Sequence, residues 1–174
     1  LGAVRIVYLV GFMGSGKSTV GRLVARRLGW EFVDMDGLIE EREGRTVGEI
    51  FAAEGEKGFR RKEKALLGEI AAGERLVVAT GGGVVLDEDN RLTMRRSGVS
   101  VYLRTPSTVV WSRIRDEGGR PLLEVENPYE RVCELMRERQ HLYELSDYVV
   151  DTEGLPPDEV ADRVLYKLGL GAVE

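Results

Sequence analysis

The sequence predicts a single three-layer α/β/α domain built on a five-stranded parallel sheet with helices on both faces. Three observations carry this reading. Short β-branched apolar runs alternate with amphipathic helical segments along the whole chain, which is the pattern of α/β architecture. The runs are joined by helix-length connections, as parallel neighbours require. The chain has 174 residues, 43% apolar and 32% charged, the size and balance of one globular core.

Residues 5–10 (RIVYLV) read as a buried central strand. A glycine-rich turn spans 11–16. Lys17–Leu28 follows as a helix with Val20, Leu23, Val24 and Leu28 on one face, and Gly29 is its C-cap. Glu31–Asp34 is a short second strand. Residues 36–73 carry no strand signal and read as three helical pieces, the middle one starting at a capping box of Thr46 and Glu49. Leu76–Ala79 is a third strand, running into TGGG at 80–83. A helix over about 87–96 precedes a fourth strand at 99–103, and Ser107 is expected to cap a helix over about 108–115.

The polar stretch DEGGRPLLEVEN at 116–127 is too long for an ordinary turn. Asn127 and Pro128 then read as the N-cap and first residue of a helix to about 145. Tyr148–Asp151 is the fifth strand and 157–168 the closing helix. The expected organisation is one domain over 1–174. Two segments, 36–73 and 116–127, read as insertions into its core, where specificity and motion concentrate.

Charge narrows the function classes. The net charge of −5, with no basic tail, disfavours nucleic acid, which needs a concentrated positive face. The basic residues are 20 Arg and 5 Lys, which leaves many bidentate anion forks available. The lone Cys133 has no disulfide partner within the chain and reads as a half-buried helix residue. No apolar run reaches the length of about 18 residues that a spanning helix needs. The N-terminus lacks the shape of a signal peptide, so a cytoplasmic protein is expected.

The chemistry begins at GFMGSGKS, residues 11–18, which fits the G-x-x-x-x-G-K-[ST] pattern between a buried strand and a helix. Glycines let backbone N–H groups wrap an anion, and the helix N-terminus adds partial positive charge. Gly14, Ser15, Gly16, Lys17, Ser18 and Thr19 are therefore expected to hold ATP. Lys17 would reach the β- and γ-phosphates and the Ser18 hydroxyl would hold Mg²⁺. This makes the fold a P-loop type. A GTPase is disfavoured, because neither Asn90 nor Asn127 precedes a lysine as a guanine reader would.

Asp34 and Asp36 end the second strand in this reading, two residues apart and so pointing the same way, toward the space above the loop. The first can bind Mg²⁺ directly or through water. The second can accept a hydrogen bond from an acceptor hydroxyl, or instead cap the helix that follows.

Six stretches then combine: GFMGSGKST at 11–19, DMD at 34–36, GEKGFRRKE at 55–63, TGGG at 80–83, RPLL at 120–123 and RERQHLY at 137–143. In this order and spacing they resemble the shikimate kinase family of P-loop small-molecule kinases, over nearly the whole chain. The resemblance implies a substrate-binding helical insert at 36–73 and a lid at about 114–127. It also implies that Asp36, Arg60, Gly81, Gly82, Gly83 and Arg139 form the shikimate site. Arg60 and Arg139 suit a carboxylate through their planar forks. Glu63, three residues after Arg60 on the same helical face, can orient it.

By the same resemblance the lid residue Arg120 contacts the phosphates and Arg113 stacks on adenine, with 152–156 as the other wall. The expected catalytic set is Lys17, Asp36 and Arg120, with Mg²⁺ on Ser18 and Asp34. The expected partners are ATP and shikimate, in a monomer. A gluconate-type kinase would share the nucleotide half without the Arg60, Gly81–83 and Arg139 set. A nucleotide-binding regulator would usually lack Lys17, Asp36 or Arg120.

Overall fold

A computed structural model of the chain describes residues 4–170. Residues 1–3 and 171–174 of the expected 1–174 domain lie outside that range. The five strands are β1 (Ile6–Val10), β2 (Glu31–Asp34), β3 (Leu76–Ala79), β4 (Val99–Arg104) and β5 (Tyr148–Asp151). They form one sheet in the order β2-β3-β1-β4-β5, and every neighbouring pair is parallel. β1 is central, with Val7 opposite Val77 on one side and Val99 on the other.

Helices cover both faces, so β1 must be apolar on both, and all five of its residues are fully buried. Ile6, Tyr8 and Val10 join a core with Met35, Phe59, Leu67, Val132 and Tyr143. Val7 and Leu9 point the other way, into a core with Val20, Val24, Val101, Val160 and Val164. The period of two in a single strand thus feeds two separate cores. The second is closed by α1 (Lys17–Leu28) and α7 (Pro157–Lys167).

The other face is covered by α2 (Met35–Glu43), α3 (Val47–Ile70), α4 (Glu88–Ser97), α5 (Ser107–Ile114) and α6 (Pro128–Tyr143). The capping box forms at α3: Glu49 N–H donates to Thr46 Oγ1 at 3.2 Å, and Thr46 N–H donates to Glu49 Oε2 at 2.7 Å. α3 is two helical pieces, because Gly55 at φ 70° and ψ 178° breaks it. With α2, the expected three pieces are present. The break folds the segment back, so the Phe51 and Phe59 rings lie 5.1 Å apart. Eight residues along an unbroken helix would separate them by about 12 Å.

Two local expectations need correction. Asp36 is not on a strand: β2 ends at Asp34, whose side chain accepts from Gly37 N–H and caps α2. Asp36 therefore lies in the first helical turn, and helix geometry, not strand alternation, sets its direction. Ser107 is the first residue of α5, and Pro106 occupies the cap position without a side-chain bond, its ring presetting the entry φ. Asn127 and Pro128 do stand at the cap and first position of α6 as expected, with no bond from the Asn127 side chain. Pro128 after it has no N–H to satisfy. Among the described residues no helix is long and apolar enough to cross a membrane.

No heavy atom lies within 4 Å of where a Cβ at Gly55 would stand. The glycine is required by its backbone alone, since φ 70° with ψ 178° is a region that essentially only glycine enters. Gly55→Ala is expected to lower stability by about 1–3 kcal/mol, read as a lower urea midpoint at unchanged slope.

Candidate active site

All five strands run the same way, so their C-terminal ends share one edge, where ligands bind in open α/β sheets. The loop after the central β1 enters α1 through Gly16 at φ 95°, with no side-chain cap and no acidic residue in the first turn. The uncapped N–H groups of α1 and its dipole face that edge, a standing anion site. Lys17 is 9% exposed. Its Nζ donates to the carbonyls of Gly11 at 2.7 Å and Phe12 at 2.9 Å, folding back over the loop. Burial pulls its pKa down to about 8, and the carboxylates of Asp36 and Asp34 resist the fall.

Ser18 Oγ donates to Asp34 Oδ2 at 2.5 Å. The predicted metal pair is therefore side by side, offering hard oxygen donors that suit Mg²⁺. Ser15 is buried and its hydroxyl has no partner among the described residues. Thr19 and the Gly14–Ser15–Gly16 backbone face a cleft of about 320 Å³.

Across the sheet edge lies a cavity of about 290 Å³ lined by Asp36, Arg60, Gly81, Gly82, Gly83 and Arg139, and also by Arg120, which was expected on the phosphate side. Arg60 Nη1 donates to Glu63 Oε1 at 2.9 Å and Nη2 to Glu56 Oε1 at 3.2 Å. Glu63 is 0% exposed, so the arginine is aimed from below by a buried carboxylate. Arg139 is 3% exposed and stands 5.9 Å over the Phe12 ring. Burial raises the pKa of Asp36 against the pull of Lys17, and burial raises that of Glu63 against the pull of Arg60. Asp36 Oδ1, Glu63 Oε2, Arg60 Nε and Arg120 Nε are buried without a hydrogen-bond partner among the described residues.

The glycine run turns out to serve the protein's own side chains. A Cβ at Gly81 would stand 2.5 Å from Glu63 Oε2 and 2.9 Å from Asp36 Oδ1, and one at Gly83 would fall on the Arg60 guanidinium. Residues 81 and 83 are thus small so that charged groups can crowd the cavity wall. Only at Gly82 is the nearest atom an ordinary 3.4 Å away.

Arg120 pairs with Glu117 three residues before it, within the predicted lid, and Pro121 and Leu122 help to roof the cavity. Arg113, on α5, donates from Nη1 to the Gly14 carbonyl at 2.9 Å, fastening the phosphate loop from the far side. It faces the 320 Å³ cleft together with Thr152, Leu155 and Pro157. Sequence reasoning put that second wall at 152–156 but singled out no residue in it. Thr152 is anchored by a 2.6 Å bond between its hydroxyl and that of buried Thr105, a contact between loops that no local pattern announces. Met13, Phe51 and Phe59, part of the apolar lining of the same 290 Å³ acceptor cavity, were not singled out. Met13 and Phe59 fall inside the stretches 11–19 and 55–63 quoted above, while Phe51 carries only core-like hydrophobicity.

The buried Lys17 makes a pH test available. Its folded pKa lies near 8, below its ordinary 10.5, so the unfolded chain binds the proton more tightly in between. Folded stability accordingly rises as pH climbs from about 8 to 10.5, by on the order of 1–3 kcal/mol. Lys17→Met is expected to flatten the urea-midpoint profile across that window relative to the parent. Parallel profiles would refute the buried, deprotonation-prone lysine.

Comparison with known proteins agrees with this geometry. The family model described as shikimate kinase matches residues 13–169. A shikimate kinase of Thermodesulfovibrio yellowstonii is 46% identical over 162 residues, covering 93% of this chain and 94% of that protein. One of Aromatoleum aromaticum is 52% identical over 147 residues, 84% of each. The solved structure of shikimate kinase from Acinetobacter baumannii in complex with shikimate superposes with a TM-score of 0.92 at 40% identity, covering 95% of this chain and 93% of that one. With its phosphate loop, its paired arginines and its glycine wall in these positions, the chain belongs to the shikimate kinase family.

Proposed function

We propose that this chain transfers the γ-phosphate of ATP to the 3-hydroxyl of shikimate, giving ADP and shikimate 3-phosphate on the route to chorismate and the aromatic amino acids. One observation carries the reading: Arg60, Arg139 and Asp36 line a single small cavity beside Lys17, and Asp36 Oδ1 has no hydrogen-bond partner among the described residues. Two guanidinium groups fit a carboxylate, and a buried carboxylate acceptor fits a ring hydroxyl.

Arg60 and Arg139 hold the substrate carboxylate, and the shape of the cavity orients the ring. Asp36 accepts a hydrogen bond from the reacting hydroxyl, and its burial-raised pKa suits it to take that proton. The hydroxyl oxygen bonds to the γ-phosphorus as the bond to the β,γ-bridging oxygen breaks and ADP leaves. Lys17 releases the Gly11 and Phe12 carbonyls for the phosphates, and with Arg120 it neutralises charge on the transferring group. Gly14, Ser15, Gly16 and Thr19 cradle the phosphates, while Arg113 and the 152–157 loop flank the base. Ser18 and Asp34 would hold Mg²⁺, which when bound offsets charge on the phosphate oxygens.

In this reading 36–73 is the acceptor-binding segment and about 114–127 the lid, hinged at Gly118 and Gly119. Closure excludes water from the reacting groups. The protein acts as a cytoplasmic monomer. In support, the exposed Leu86, Val125 and Tyr166 lie on separate segments of the chain.

A coupled ADP-release assay with ATP and Mg²⁺ tests the reaction, with shikimate, gluconate and AMP as parallel acceptors. Turnover is expected with shikimate alone, and turnover with only another acceptor would overturn the cavity assignment. Arg139→Ala removes a charge-assisted hydrogen bond worth about 1.5–3 kcal/mol. It is therefore expected to raise the shikimate KM by roughly 10- to 100-fold with little change in the ATP KM. An unchanged shikimate KM would take Arg139 out of the site.

A further inference from the structure

The glycine wall carries a contact that the reaction scheme leaves unused. The Gly81 carbonyl accepts from Val84 N–H at 3.1 Å, and the Gly83 carbonyl accepts from Leu86 N–H at 3.1 Å. Both bonds are local turns. The carbonyl between them, that of Gly82, accepts from the Tyr143 hydroxyl at 2.5 Å, across 61 residues of chain. Tyr143 is 1% exposed and its ring is stacked on Tyr102, centroids 5.1 Å apart. Burial, resisted by the neighbouring Arg139, pushes the phenol pKa up to about 12. The hydroxyl therefore keeps its proton, and its role as donor, at any working pH.

Two glycines in sequence leave the peptide between them with almost no steric preference for either orientation. That peptide is trans, so its carbonyl and its N–H point to opposite sides. Holding the Gly82 carbonyl against α6 therefore aims the Gly83 N–H away from α6. Gly82 and Gly83 both line the acceptor cavity. Among the described residues no protein oxygen accepts from either of their N–H groups.

We propose that Tyr143 is a positioning residue: its hydroxyl latches the Gly82–Gly83 peptide in the one orientation that presents the Gly83 N–H to an oxygen of the acceptor. Tyr143 stands one turn beyond Arg139 on the same face of α6. One helix thus sets both a guanidinium clamp and the backbone donor beside it, and the two keep a common register. The latch deepens the acceptor-site reading given above and rests on it for the identity of the ligand.

The experiment compares the parent protein with Tyr143→Phe, which keeps the ring and deletes the donor, and with Tyr102→Phe, which alters the stacked partner without touching Gly82. Amide NMR of the ligand-free proteins reads the Gly83 N–H, and calorimetric titration reads shikimate and ATP separately. Tyr143→Phe is expected to broaden or double the Gly83 resonance and to weaken shikimate about tenfold, with ATP affinity within about twofold. Tyr102→Phe is expected to change neither. A sharp, unmoved Gly83 resonance or an unchanged shikimate affinity in Tyr143→Phe overturns the latch. So does an equal loss for both ligands, or the same loss in Tyr102→Phe, since either reports only weakened packing. If the parent protein binds no shikimate, the acceptor assignment fails by itself and the Gly83 resonance alone decides the latch.

Discussion

The site depends on burying charge while leaving one side of each charged group open. Lys17, Glu63 and Arg139 are almost wholly withdrawn from water, and Asp36 sits among them. Taking such ions out of water costs several kcal/mol each unless partners surround them. Here the partners are incomplete by design of the fold. Arg60 is held by two glutamates yet keeps a bare Nε, Glu63 keeps a bare oxygen, and so does Asp36. Two carboxylate oxygens that accept and a guanidinium nitrogen that donates thus stand unfilled, the kind of groups that mark a binding site.

Such a concentration of charge needs a stiff frame. The frame is the central β1, buried on both faces, with β3 and β4 hydrogen-bonded on either side. Because these strands are parallel, the phosphate loop after β1 and the glycine wall after β3 emerge side by side. Thr80 ties the two together, donating through both its N–H and its hydroxyl to the Leu9 carbonyl, at 3.1 and 2.9 Å. The relative placement of donor and acceptor sites is thus set by sheet register, a property of the core. Arg113 fastens the outer side of the phosphate loop in the same way, from α5.

Much of this was legible in the chain. The bounds of α1, β2, β3 and β5 match their sequence patterns, because each lies between clear punctuation such as Gly29 or a polar break. The Thr46 and Glu49 box and the phosphate loop are local motifs, and local chemistry reads out locally. What failed had causes, local in one case and distant in the others, that the patterns do not register. Asp36 left the strand because Asp34 closes a helix cap with Gly37, a competition that alternation alone does not register. The small size of Gly81 and Gly83 follows from side chains arriving from α2 and α3. The Thr105–Thr152 bond and the Tyr143–Gly82 bond join segments 47 and 61 residues apart. Their residue types are ordinary where they stand, and only the folded neighbourhood distinguishes them.

The broken helix α3 places the acceptor wall on a joint. One arm carries Phe51, the other carries Phe59, Arg60 and Glu63, and the two meet at a residue whose side-chain space is open. The nucleotide half shares no residue with either arm. Descent with change can therefore act on the angle of that joint, widening or narrowing the acceptor chamber while the phosphate chemistry is inherited intact. A lineage built on this frame can explore new small acids by bending, long before it has to replace the side chains that grip them.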